Sequence, residues 1–170
     1  MPHPLVIQLR FTRSEFRRAL DGLSEADACR RFLPMNCISW NIGHLAHAEQ
    51  AIFLTGMQGH TPLPHLNELY GYGQPASTPK LSEMWEAWQT VTQMVDPFLD
   101  TFTTTTLQQT GITGDDDQQT YYLAGSLLLR VIYHYWYHLG ETMAIRQLLG
   151  HTDLPEFVGD LDAQAPYLPH

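Results

Sequence analysis

VIYHYWYHLGETMAIRQLLGH, residues 131–151, is the stretch whose reading decides the fold. It contains no proline, and its first half is apolar on almost every side, as a long helix inside a bundle must be. Two histidines, His134 and His138, stand one helical turn apart within it. Each ring has two nitrogens to satisfy, so a stacked pair has four, and an apolar helix offers them nothing. The pattern predicts a polar or cationic partner facing both rings. The aromatic residues Tyr133, Trp136 and Tyr137 read as core. The helix is expected from about Tyr122 to Leu149, with Gly150 as its stop signal.

Working outward, three more long helices are expected. Leu5 to about Leu20 carries Leu5, Leu9, Phe16 and Leu20 at helical spacings, with Thr12 interrupting the stripe. Ser24, three residues before Asp27, reads as the cap of a short helix. Pro34 ends that element. NCISWNIGHLAHAEQAIFLTG, residues 36–56, forms the second long helix, with Asn36 or Ser39 as N-cap and Gly56 near its end. LSEMWEAWQTVTQMVDPFLDTF, residues 81–102, forms the third. Its apolar stripe includes Trp85 and Trp88 as core residues, and Pro97 should kink or shorten it. Residues 57–80 hold four prolines and three glycines and read as a long loop of the kind that often carries function. Residues 103–119 read as a β-branched and then acidic connection with room for a short strand, and the Asp115–Asp117 run as a solvated turn. The Pro-rich tail from His151 should lie across the bundle. Four long helices and no internal repeat give an all-α class, a four-helix bundle, in a single domain over 1–170.

The 170 residues are enough for a core without staples. Eighteen acids against nine Lys and Arg give a net charge of −9. Such a surface repels nucleic acid backbones and anionic membranes. No run of 18 apolar residues is present, so no membrane span is expected. The opening MPHPLVIQLRFTRSEF has no signal-peptide organisation and reads as mature protein. Cys29 and Cys37 are too few for a disulfide framework, which points to a reducing cytoplasm.

The histidines carry the chemistry. With His134 at zero on a helical wheel, His138 lies at about +40° and Glu141 at about −20°. Leu127, Arg130 and Ile145 share that stripe. Imidazoles at i and i+4 can grip one ion, the spacing of helical zinc sites. The second helix offers a third ligand in His44, on the stripe Trp40, His44, Ala48, Ala51. His47 lies about 60° away and is less favoured. A His44, His134, His138 set leaves a coordination position open, and it suits zinc, nickel, iron or copper. The competing reading is that these histidines are core residues bonded to carbonyls. Glu141 is a fourth ligand, a group that orients an imidazole, or a general base. His3, His151 and His170 read as solvated, His60 and His65 as surface residues of the long loop. Tyr70 and Tyr72 are loop aromatics within reach of a substrate, and Cys37 lies about two turns before His44.

SWNIGHLAHAEQAIF, followed about 90 residues later by YHYWYHLGETMAIRQLLGH, resembles the DinB/YfiT-like superfamily of metal-binding four-helix bundles. Trp40, Gly43, His44 and Glu49 match the first family motif; His134, His138, Gly140 and Glu141 match the second. Glutamine is common in the family where this chain has Glu141. The resemblance implies a three-histidine divalent metal site and, from members with known activity, a metal-dependent S-transferase. Its co-substrate would be a low-molecular-weight thiol and its second substrate a small electrophile. Hydrolysis by metal-activated water is a further possibility, and a non-catalytic, stress-related metal-binding module is the alternative. A homodimer is expected, because the fourth helix, Tyr121 to Leu129 especially, has more apolar surface than one core needs.

Overall fold

The computed structural model describes residues 1–113, 120–156 and 158–168. Four long helices carry the architecture: α1 (Pro4–Ala19), α3 (Ile38–Glu49), α5 (Leu81–Leu99) and α7 (Ala124–Leu148). Between them lie short helices α2 (Glu25–Ala28), α4 (His65–Tyr70) and α6 (Thr104–Leu107), and α8 (Leu161–Gln164) follows in the tail. Strands β1 (Thr110–Thr113) and β2 (Thr120–Leu123) pair antiparallel, Thr110 opposite Leu123. α3 packs chiefly on α5 and α1 on α7, while α3 also meets α7. The chain is all-α in class, as the sequence predicts. No helix among the described residues is long and apolar enough to cross a membrane.

Several boundaries differ from the sequence reading for visible reasons. The N-cap of α3 is Cys37, not Asn36 or Ser39, and no side chain caps it. The Ser39 hydroxyl instead faces the Cys37 sulfur at 3.2 Å. Ser24 caps α2 as expected, accepting from the Asp27 amide at 3.1 Å. The helical run reaches Gly56 as the sequence predicts, but past the end of α3 its last seven residues, Gln50–Gly56, are π-helical. The long 57–80 loop contains α4, because Leu66 and Tyr70, at i and i+4, both find burial. Pro97 sits inside α5, and the helix stops two residues later. α7 begins two residues after Tyr122, since Tyr122 and Leu123 are spent on β2.

Tyr133 and Tyr137 are not core residues: they are 64% and 72% exposed. The buried aromatic of α7 is Tyr135, between them in sequence and on the opposite face. Its hydroxyl accepts from Trp88 Nε1 at 2.5 Å and donates to Glu49 Oε1 at 2.6 Å. Arg13 makes a two-pronged ion pair with the same carboxylate and reaches Asp96 at 2.8 Å. One polar network therefore ties α1, α3, α5 and α7 together across the core. Burial pushes the Tyr135 phenol well above its ordinary value, and the Glu49 charge adds to this, so Tyr135 stays a donor. Burial alone would depress Arg13, but Glu49 outweighs it and raises the guanidinium further.

The tail, expected from the sequence to lie across the bundle, makes contacts with α1. Gln8 Nε2 donates to the Ala165 carbonyl at 2.8 Å, and the Gly159 amide donates to Glu15 at 2.8 Å. His151 is half-buried rather than solvated: it receives a bond from Arg146 at 3.1 Å and lies 3.4 Å from Asp27. His3 also has a structural part, accepting from the Leu5 amide at the start of α1. The Asp115–Asp117 run and His170 lie outside the described residues.

Candidate metal centre

The α3 helix is buried on nearly every face, which holds its rotation tightly. Gly43 is one reason it seats so closely: a Cβ there would meet Met84 Sδ at 2.6 Å and the Tyr70 ring at 3.1 Å. The next residue, His44, is thus pressed between α4 and α7. The Trp40 ring, one turn earlier, stacks on it at 5.0 Å and 18°.

Three imidazoles converge. His44 Nε2 lies 3.1 Å from His134 Nε2, and His138 Nε2 lies 3.0 Å from the same atom. The outer nitrogens have fixed partners. His44 Nδ1 lies 2.6 Å from the Tyr70 carbonyl oxygen. His138 Nδ1 lies 2.8 Å from Glu141 Oε2, which also accepts from Asn41 Nδ2 at 2.9 Å.

These partners decide the protons. A carbonyl or carboxylate oxygen only accepts, so His44 and His138 carry their protons on Nδ1. In the neutral rings both Nε2 atoms are then bare lone pairs, aimed at one His134 Nε2. A single N–H on His134 can satisfy only one of them. Burial first, then the neighbouring His138, His44 and His47, push His134 down to about 3; a second proton would in any case sit on its Nδ1, not on the Nε2 that both neighbours face. Burial also lowers His44, against the pull of the Tyr70 carbonyl. One cation, by contrast, can accept all three lone pairs. The three residues form a group that can hold a metal ion, their ligand atoms all within 4.8 Å of one another.

Beside the triad opens a cavity of about 240 Å³. His44, His47 and His134 line it together with the apolar residues Ala48, Ala51, Ile52 and Val131. Ala51 and Ile52 belong to the π-helical segment, a feature common at functional sites. Tyr72 and Arg130 stand at its rim, both exposed. His47 stacks on His44 with centroids 6.1 Å apart, in the cavity wall and outside the triad.

The remaining candidates fall elsewhere. Tyr70 is buried and contributes its carbonyl rather than its ring hydroxyl. His60 and His65 are exposed. Cys37 lies against Ser39 and the Ser77 carbonyl, and both cysteines are free thiols. Glu49, matched by motif, serves Arg13 and Tyr135 instead of the triad. Asn41 and the Tyr70 carbonyl were missed by sequence reasoning. Asn41 lies three residues before His44, a helical neighbour whose spacing was a usable signal; a backbone carbonyl leaves none.

No curated protein matches the chain. The sequence profile described as the DinB superfamily matches residues 8–142, a span that includes all three histidines and Glu141. Taken with the helical fold and the converging imidazoles, that match over most of its length places the chain in the DinB superfamily.

Proposed function

We propose that the protein is a metal-dependent S-transferase that joins a low-molecular-weight thiol to a small electrophile. His44, His134 and His138 serve as the three ligands of a zinc, nickel or iron ion. The observation that carries the reading is the meeting of three Nε2 lone pairs at the edge of an apolar cavity. When bound, a divalent ion at such a site lowers the pKa of a thiol and holds it ready as the nucleophile.

The chain's own residues do the rest. The Tyr70 carbonyl and Glu141 hold the Nδ1 protons, which aims both Nε2 atoms inward and fixes the rings. Asn41 holds Glu141 in turn. Glu141 reaches the site through His138, so this reading makes it a positioning residue. Ala48, Ala51 and Ile52 exclude water and give the electrophile's body an apolar seat. In the net reaction the thiol loses its proton, a sulfur–carbon bond forms, and the electrophile's leaving group departs with that proton.

The exposure of Tyr121, Tyr122, Tyr133 and Tyr137, large apolar side chains left outside the core, supports a homodimer, which sedimentation at micromolar concentration tests. The two free thiols suit a reducing cytoplasm. The acidic surface disfavours nucleic acid.

The experiment is thiol consumption with a panel of electrophiles, measured with and without chelator and in His44→Ala, His134→Ala and His138→Ala. The expected result is turnover that chelation abolishes and that each substitution removes together with bound metal. Full activity in metal-free protein refutes the proposal.

A further inference from the structure

Arg130 stands one turn before His134 on α7, at i and i+4, so both side chains project from the same face. It is exposed, lines the rim of the cavity beside the triad, and makes no ion pair with any carboxylate among the described residues. Its guanidinium carbon lies 5.0 Å from the centroid of the Tyr122 ring. Stacking on an aromatic face holds the guanidinium while leaving its N–H edges free to bind in two-pronged fashion.

The surroundings sharpen this. The protein carries 18 acids against nine Lys and Arg, yet no described residue lining this cavity is a carboxylate. A cation with no carboxylate partner among the described residues, at the mouth of a pocket whose described lining holds no acid, in a protein of net charge −9, favours anions locally where the molecule as a whole repels them. Arg130 and His134 are four positions apart on the helix, a rise of about 6 Å between their backbone positions. A molecule with a chain of three or four carbons fits about 240 Å³.

We infer that the cavity takes a small carboxylate, its anionic end paired with Arg130, its short apolar body against Ala48 and Ala51, and its reacting end beside the histidine triad. This rests on the transferase reading for the identity of the reacting end, but the Arg130 contact stands on geometry that needs no metal. The carboxylate belongs either to the thiol or to the electrophile; the chemistry at Arg130 is the same.

The test is calorimetric titration of metal-free and cobalt-loaded protein with two matched pairs: 3-mercaptopropionate against 3-mercaptopropan-1-ol, and butanoate against butan-1-ol. The expected result is at least about tenfold tighter binding of the acid in one pair or both. Preference in the thiol pair alone assigns the carboxylate to the thiol; preference in both allows it on either substrate. Arg130→Gln should erase the preference and Arg130→Lys should keep part of it. Equal affinity of acid and alcohol, a preference that survives Arg130→Gln, or failure of every ligand to bind either form overturns the inference. If cobalt does not bind, the metal reading falls, and the acid-over-alcohol ratio in metal-free protein still decides Arg130.

Discussion

Replacing Glu49 by Gln removes one negative charge from the centre of the bundle and leaves the shape almost unchanged. The partner, Arg13, has a side chain only 6% exposed, and the Glu49 side chain is fully buried. Breaking a buried pair from one side costs about 3–5 kcal/mol, because the remaining charge is stranded. Asp96 remains 2.8 Å from Arg13, but it is 44% exposed and screened, so the lower end of that range, about 3 kcal/mol, is expected. For a chain of 170 residues, each kcal/mol lowers Tm by about 2–4 °C, which gives a fall of about 6–12 °C. Urea unfolding followed by circular dichroism reads the free energy, and calorimetry reads Tm. The double variant Arg13→Met/Glu49→Leu should recover much of the loss, since an apolar pair of similar size strands no charge. Metal affinity should weaken in Glu49→Gln as well, because Glu49 joins α3 to Tyr135, the neighbour of His134 on α7. A Glu49→Gln protein within about 0.5 kcal/mol of wild type, or a double variant as unstable as the sum of its parts, would refute the reasoning.

Removing the acceptor that holds His138 and Asn41, by Glu141→Ala, should weaken metal binding about 10- to 100-fold in competition titrations with a chromogenic chelator. Gly43→Ala should destabilise despite a better helix former, because the new methyl must displace Met84 and Tyr70; about 1–3 kcal/mol of overpacking outweighs about 1 kcal/mol of propensity, read by urea unfolding. Gly140→Ala should do the opposite and gain about 0.5–1 kcal/mol, since nothing lies within 4 Å of a Cβ there. Burial works against ionised Glu15, but bonds from Arg18 and the Gly159 amide overcome it and hold its carboxyl below its ordinary 4.5. A folded pKa below the unfolded one means the unfolded chain binds the proton first. Its contribution is thus complete above about pH 4.5 and lost as pH falls further. Glu15→Gln should flatten this acid limb of a stability-against-pH curve.

The helices and the triad were legible because both depend on short-range periodicity. His134, His138 and Glu141 share a face by arithmetic alone, and the Trp40–His44–Ala48–Ala51 stripe pointed the third imidazole inward. Phase on an almost uniformly apolar helix was not legible. Tyr133 and Tyr137 looked as buriable as Tyr135, and what separates them is the Glu49–Arg13 pair that Tyr135 alone can reach. The Tyr70 carbonyl could not be found because main-chain acceptors have no sequence signature. The π-helical segment Gln50–Gly56 likewise has no sequence signature that sets it apart from an α-helix. Arg130 was visible on the His134 stripe, but its meaning depends on a pocket assembled from two helices and a loop.

The most direct test of the central claim is X-ray absorption at the zinc edge of stoichiometrically loaded protein in thiol-free buffer. The account predicts three imidazole nitrogens at about 2.0–2.1 Å with one further light-atom ligand. A sulfur shell at about 2.3 Å, or fewer than three imidazoles, would contradict it.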